Sequence, residues 1–308
     1  MIKKFSIKKI CKYTMLLLVV FLFYLFPKKN EYELTNTVIK NHRLNYHDVF
    51  LLDRNNYLSK ITIEVAAKNE LDLIDELIEI MKEDGRYIDK IPNGFRPFLP
   101  SDLKINSKKI KNDILIINFS NELLKGNIQD EERIVEGLIY TLTSIKNIKK
   151  VKILIDGEEL KKLPKSGKEL DEYLKRDFGI NKVYNIENLK DITKVIVYYV
   201  SKNNDNIYYI PVTKYINSSE EKIKIIIDEL TSKMSYNSDL MSYLNYNAKL
   251  LNYNFNNDSI TLNFNEYLFD NEVNKKVLEE VIYSISYSIK DNYGVSKINF
   301  CVNNTEIR

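Results

Sequence analysis

Two hydrophobic rhythms alternate along this chain, and they recur in the same order twice. Residues 113–124 read Asp-Ile-Leu-Ile-Ile-Asn-Phe-Ser-Asn-Glu-Leu-Leu, and residues 258–269 read Asp-Ser-Ile-Thr-Leu-Asn-Phe-Asn-Glu-Tyr-Leu-Phe. Leu115, Ile117 and Phe119 alternate with other positions in the first, as do Ile260, Leu262 and Phe264 in the second. A period of two with one apolar face predicts a half-buried strand. A period near 3.6 follows each strand. Ile134, Leu138, Leu142 and Ile145 fall on one helical face, and Leu278, Ile282, Ile285 and Ile289 fall on another. Each helix leads to a closing strand, 151–155 and 298–302.

The same order holds upstream. Strand pairs are predicted near 47–53 and 59–65, and again near 194–201 and 206–213. An amphipathic helix follows each pair. Ile74, Leu77, Ile78 and Met81 mark its apolar face in the first copy; Ile223, Ile226, Ile227, Leu230 and Met234 mark it in the second. A further strand, near 102–105 and 249–254, is expected to pair with the repeated one. The pattern therefore predicts an α+β fold of two tandem β-β-α-β-β-α-β domains. Each is expected to be a small, mostly antiparallel sheet with two helices on one face. The divisions are 47–156 for the first domain, 157–193 for a linker with a short helix at 168–176 stopped by Gly179, and 194–308 for the second.

A different pattern opens the chain. Residues 13–26 form an uncharged, mostly apolar run between lysines. The run is short against the roughly 20 residues that span a bilayer. No small residues follow it to guide a signal peptidase, and Cys11 precedes it, so an uncleaved signal anchor is expected over residues 1–29. Five lysines before the run against two after it place the N-terminus in the cytoplasm. This gives a single-pass protein of the cell membrane, with residues 30–46 as a tether and the bulk of the chain outside the cytoplasm.

Charge then narrows the partners. The formal net charge is +3, yet seven of the 46 basic residues and no acid lie in residues 1–29. The remaining 39 basic groups meet 43 acids, a net of −4. A mildly acidic ectodomain lacks the basic footprint of nucleic-acid binding.

The second copy carries Val197-Tyr-Tyr-Val200 and Tyr209-Ile-Pro-Val-Thr213. The first carries Leu99-Pro100, the Asn-Phe-Ser strand, Tyr140-Thr-Leu142 and Val151-Lys-Ile-Leu-Ile-Asp-Gly157. In these segments and their order the chain resembles the GerM domain family of sporulating Gram-positive bacteria. The resemblance covers about residues 45–160 and 193–307. The second copy lacks the Leu-Pro and carries Asn303-Asn304 in place of the final Asp-Gly. The resemblance implies a non-enzymatic envelope protein of sporulation or germination. Such domains are similar in topology to the ring-building modules of secretion systems, which implies docking to other envelope or sporulation-complex proteins.

Candidate chemistry is sparse. His42 and His47 sit in or beside the tether without a third ligand, so no metal is expected. Cys301 falls inside a predicted strand as a packing residue, and Cys11 and Cys301 lie on opposite sides of the expected membrane. The pairs Glu131-Glu132, Glu158-Glu159 and Glu279-Glu280 read as solvated faces near helix starts or turns. With 8 Gly in the chain and no phosphate loop or dinucleotide fingerprint, no cofactor is expected and the chain is read as not an enzyme. Copy two is rich in tyrosine. Tyr208, Tyr243, Tyr246 and Tyr253 are candidate surface aromatics for peptidoglycan or a protein partner, set against simple strand propensity. Three functions stay open: an envelope scaffold acting through domain docking and open sheet edges, a peptidoglycan-binding module, and a cell-wall hydrolase with an unusual carboxylate pair.

Overall fold

The computed structural model describes residues 46–125, 128–204, 206–232, 239–270 and 275–307. The expected anchor, most of the tether, Cys11, His42 and Met234 lie outside the described residues. Among the described residues no helix is long and apolar enough to cross a membrane.

Copy one opens with the hairpin β1 (Tyr46–Asp53) and β2 (Leu58–Glu64), then helix α1 (Glu70–Met81) and the short β3 (Phe95–Arg96). The antiparallel pair β4 (Ile105–Lys111) and β5 (Ile114–Phe119), helix α2 (Ile128–Leu142), β6 (Lys150–Ile155) and β7 (Glu158–Glu159) complete it. The linker carries β8 (Val183–Asn185). Copy two repeats the order with β9 (Ile192–Asn203), β10 (Asn206–Asn217) and α3 (Lys222–Thr231). Its remaining elements are β11 (Leu250–Asn256), β12 (Ser259–Phe264), α4 (Glu279–Tyr293), β13 (Lys297–Val302) and β14 (Thr305–Glu306).

The repeated Asp-…-Asn-Phe-Ser/Asn stretch builds both copies identically, and each polar residue has a reason. Leu115, Ile117 and Phe119 are buried, as are Ile260, Leu262 and Phe264. Asn118 Oδ1 accepts the Gly157 N–H at 2.9 Å, and Asn263 Oδ1 accepts the Asn304 N–H at 2.8 Å. These bonds hold the turn between the last two strands. That turn needs left-handed backbone at both positions: Asp156 and Gly157 have φ of 48° and 94°, Asn303 and Asn304 of 47° and 65°. Asparagine tolerates this region, so Asn-Asn replaces Asp-Gly without changing the turn. Ser120 Oγ and Asn265 Oδ1 each accept, at 3.0 Å, the backbone N–H that closes the neighbouring strand pair, from Lys104 and Lys249.

The sheets depart from two self-contained, mostly antiparallel units. Each copy holds a four-stranded sheet, β4-β5-β6-β7 or β11-β12-β13-β14. Its central pair is parallel, β5 with β6 and β12 with β13, because α2 or α4 makes the crossover. The opening hairpins do not join these sheets. Both enter one shared sheet of order β3-β1-β2-β10-β8, with β9 on the other edge of β10. Tyr209 of β10 pairs with Lys60 of β2 at the joint. Periodicity reports that a strand has one buried face, not which neighbour it hydrogen-bonds.

The helices fill the space between. Leu73, Ile74, Leu77, Ile78, Ile80 and Met81 of α1 are buried, as are Ile223, Ile225, Ile226, Ile227 and Leu230 of α3. Asn69 caps α1 by accepting the Asp72 N–H at 2.9 Å. In α4 the buried face is Val281, Ile285 and Ile289 with Ser284 and Ser288, not the Leu278–Ile282 line. Gly294, at φ 71°, ends that helix by donating its N–H to Lys290 O. The core of copy one runs across the boundary and takes in Ile196 and Tyr198 of β9.

The expected helix at 168–176 is absent. Leu174 instead exchanges two 2.8 Å backbone bonds with Val151 of β6, and Leu163 and Leu174 are buried. Long-range pairing overrides local helical preference here. One 3₁₀ turn, Arg176–Phe178, remains, and Gly179 at φ 87° follows it.

Candidate functional site

The polar groups that converge in this molecule lie along the seam between the copies. Arg176, from the linker, donates through Nη1 to Asp291 Oδ1 of α4 at 2.6 Å. It also donates through Nε to Thr143 Oγ1 and through Nη2 to Tyr140 O of the first long helix. The Tyr140 hydroxyl returns a bond to Arg176 O at 3.0 Å, and Tyr198 OH donates to Asp291 Oδ2 at 2.6 Å. The guanidinium stands 4.9 Å from the Tyr140 ring centroid. Burial pushes the Tyr140 and Tyr198 phenols far above their ordinary range, and the Asp291 carboxylate adds to it.

The two long helices reach the seam in the same way. Thr141 Oγ1 accepts the Phe50 N–H of β1 at 3.0 Å, and Ser288 Oγ accepts the Tyr198 N–H of β9 at 2.9 Å. Ser144 Oγ donates to Asp48 O, and the Asn292 amide both accepts from and donates to Ile196. Tyr140 packs edge-on against Phe50, and Tyr287 packs tilted against Tyr198. Helix side chains thereby occupy backbone groups of β1 and β9 that a partner strand would need.

Asn181 of the linker staples the shared sheet where β2 and β10 part. Its amide accepts the Leu58 N–H at 3.0 Å and donates to Leu58 O and Pro211 O, both at 2.8 Å. The loop of copy one with Asn93-Gly94 also crosses over, since Asn203 Nδ2 donates to Asn93 O and Phe95 packs edge-on against Tyr208.

Glu131 and Glu132 are not a solvated face. Glu131 is 4 % exposed and accepts the N–H groups of Lys165 and Ser166, both at 2.8 Å. Glu132 takes Lys168 and Lys182, and Lys182 also reaches Glu136 at 2.6 Å. Burial raises the Glu136 carboxyl. At Glu132 burial is outweighed by the two lysines, and its carboxyl falls below the ordinary range. Helix α2 thus clamps the linker that sets the second copy in place.

The candidate aromatics fall in different surroundings. Tyr208 is 5 % exposed and is not a surface residue; its hydroxyl donates to buried Asp53 at 3.1 Å and accepts from Ser201 at 3.0 Å. Burial raises the Asp53 carboxyl. Tyr243 and Tyr246 are exposed in the segment before β11. Tyr253 is half-buried on β11 and donates to Glu221 Oε2 at 2.7 Å. A closer aromatic group joins Tyr209, one of the tyrosines of the second copy, to Tyr283 and Tyr287, which the sequence did not single out, with ring centroids 5.4 to 5.6 Å apart. Tyr209 and Tyr287 border a cleft of about 340 Å³ with Lys60, Thr62 and Phe95. Lys60 pairs with Asp48 at 2.9 Å and lies 4.0 Å over the Tyr287 ring. Placing Leu138 on Ile285 in the two long helices superposes Tyr140 on Tyr287 and Thr141 on Ser288. That alignment was the available signal.

Among the described residues, no cluster of His, Cys, Asp or Glu could hold a metal. His47 lies on β1 opposite Ile63. Cys301 is half-buried on β13, and burial together with Glu306 raises its thiol. Ser201, Asp53 and Tyr208 form a bonded chain, but all three are buried and none meets solvent as a nucleophile would.

A family model described as "Germane: Sporulation and spore germination" matches residues 48–161 and 196–308. Over 283 residues the chain is 32% identical to the spore germination protein GerM of Bacillus subtilis (strain 168), covering 90% of this chain and 77% of that protein. The solved tandem GerMN domains of the sporulation protein GerM from Bacillus subtilis match with a TM-score of 0.77 and 31% identity. That match covers 84% of this chain and 91% of the other, so it spans both copies.

Proposed function

The chain belongs to the Germane family of sporulation and spore germination, and from that premise we propose a non-catalytic envelope scaffold that works by docking its surfaces. In this reading residues 1–29 anchor the protein in the cell membrane, with the N-terminus in the cytoplasm and residues 30–46 as tether. The two copies then stand outside the membrane and meet other proteins of the sporulation or germination machinery.

The observation that carries the reading is the seam. Arg176, Asn181 and Glu131 tie the linker to both copies through bonds that leave little freedom to rotate one against the other. An enzyme concentrates reactive groups at an open site, whereas a spacer concentrates them where rigidity is needed. The test is an in-frame deletion in the bacterium that carries the chain, scored for heat-resistant spores against vegetative growth. The expected result is a collapse in spore count with normal growth. Normal sporulation with altered growth or cell shape would sink the sporulation reading.

The Tyr209–Tyr283–Tyr287 group favours a second reading, binding of peptidoglycan sugars on stacked tyrosines. Co-sedimentation of the chain with purified sacculi, lost on Tyr283→Ala, is its expected signature; no pelleting removes it.

A further inference from the structure

We propose that strand β11 pairs antiparallel with β11 of a second copy of this chain, joining two four-stranded sheets into one across a twofold axis. This deepens the scaffold reading by naming a partner, and rests on it for its purpose, though the association itself is measured without reference to sporulation.

Edge strands of any useful length are few. Strands β3, β7 and β14 have two residues each, and β8 has three. The edges of β1 and β9 are engaged by Thr141, Ser144, Ser288 and Asn292 from the helices. Among the described residues this leaves β4 in copy one and β11 in copy two, each seven residues long and each paired on one side, with β5 or β12.

These two edges occupy equivalent places and differ in chemistry. Lys108, Lys109 and Lys111 lie on β4, where β11 has Tyr253, Asn254 and Asn256. Lysines along an edge are a common guard against strand addition. Self-pairing of β4 would crowd three lysines from each copy together. Strand β11 reads Leu-Leu-Asn-Tyr-Asn-Phe-Asn and has no charge at all. Leu251 is 50% exposed and Phe255 is 43% exposed, a large apolar area for a strand edge.

Antiparallel pairing centred on Tyr253 makes use of each of these features. Asn252 meets the second copy's Asn254, and Leu251, at the bulge between Leu250 and Asn252, comes beside the second copy's Phe255. Tyr253 and Phe255 lie opposite Leu262 and Ile260 of β12, so they share the core-facing side, and an added strand lengthens that apolar face. Charge fixes the direction. Lys249 and Asp258 flank β11 at its two ends, both exposed, and the Asp258 carboxylate keeps its charge while accepting the Ser296 N–H and hydroxyl. An antiparallel partner brings Lys249 beside the second copy's Asp258, whereas a parallel one sets Lys249 against Lys249.

The test compares the full chain in detergent with its Asn254→Lys variant by sedimentation over about 1 to 100 µM, the range suited to an interface of modest area. Asn254 is exposed, so the substitution leaves the circular dichroism and unfolding midpoint unchanged. It places a lysine where β4 carries Lys109. Wild type is expected to dimerise, and Asn254→Lys to weaken the dimer roughly tenfold or more. A wild type that stays monomeric throughout overturns the proposal. So does a dimer indifferent to Asn254→Lys, which places association on another surface or on residues 1–29. A chain monomeric alone that binds a different envelope protein through β11 overturns it as well, since the occupant is then not a second copy.

Discussion

Replacing Arg176 by methionine and Asp291 by asparagine, singly and together, isolates the ion pair at the seam. Methionine keeps most of the packing along the Tyr140 and Phe50 rings while removing the charge and the bonds to Thr143 and Tyr140 O. Asp291, with a side chain 10% exposed, is then left with Tyr198 OH as its partner. Stripping one member from a buried pair costs roughly 3–5 kcal/mol. The Arg176 side chain keeps 26% exposure, so water compensates in part, and Arg176→Met is expected near the lower bound, at about 3 kcal/mol. Asp291→Asn keeps a hydrogen-bonding side chain against Tyr198 and leaves a cation that water can reach, so about 2 kcal/mol is expected. The double variant should lose little more than Arg176→Met alone, which gives a coupling energy of about 2 kcal/mol. Urea unfolding followed by far-UV circular dichroism reads all four proteins. Because Arg176 touches the first long helix and Asp291 belongs to the second copy, wild type should unfold in one transition. A coupling energy below about 0.5 kcal/mol, the range of an exposed pair, would refute the claim that this contact organises the seam.

Two further outcomes follow from the same region. Thr141→Val leaves the Phe50 N–H buried without its acceptor, and Ser288→Ala does the same to Tyr198. Each should cost about 1–3 kcal/mol in urea unfolding, with Thr141→Ser close to wild type. Alkaline titration tests the buried phenols. Tyr140 and Tyr198 have folded pKa values above the ordinary phenol value near 10, so the folded state holds more protons than the unfolded one at higher pH. Stability is therefore full below about pH 10 and falls as pH rises beyond it. Phenolate absorbance should show Tyr140 and Tyr198 ionising only as the chain unfolds, while Tyr253, pushed up to about 12 by its bond to Glu221, ionises in the folded protein. Ionisation of Tyr198 before unfolding would contradict its place beside Asp291.

What the sequence disclosed and what it withheld divide along a physical line. The strands and helices of both copies were readable because burial of one face imposes a local period, which Leu115, Ile117 and Phe119 display without any partner being known. The repeat itself was readable because Asn118 and Asn263 serve the same turn and cannot be varied freely. Sheet membership was not readable. That β2, already paired with β1, also takes β10 on its other edge depends on the Tyr209–Lys60 pair and on Asn181, which lies 123 residues from Leu58. The linker misled for the same reason: 168–176 carries leucines at helical spacing, yet Leu174 bonds to Val151 across a distance no local pattern encodes. Glu131 looked like an N-terminal helix charge, and the N–H groups it accepts belong to a segment 34 residues away. Tyrosine content guided to the surface only in part, because a phenol is amphipathic: Tyr208 satisfies its hydroxyl on Asp53 and can then be buried, while Tyr243 and Tyr246 stay exposed. The sites a sequence hides are therefore those whose polar partners come from another copy or the linker. In this chain that description covers Arg176, Asn181 and Glu131, which is why the second copy's share in the seam is written in Asp291 rather than in its exposed tyrosines.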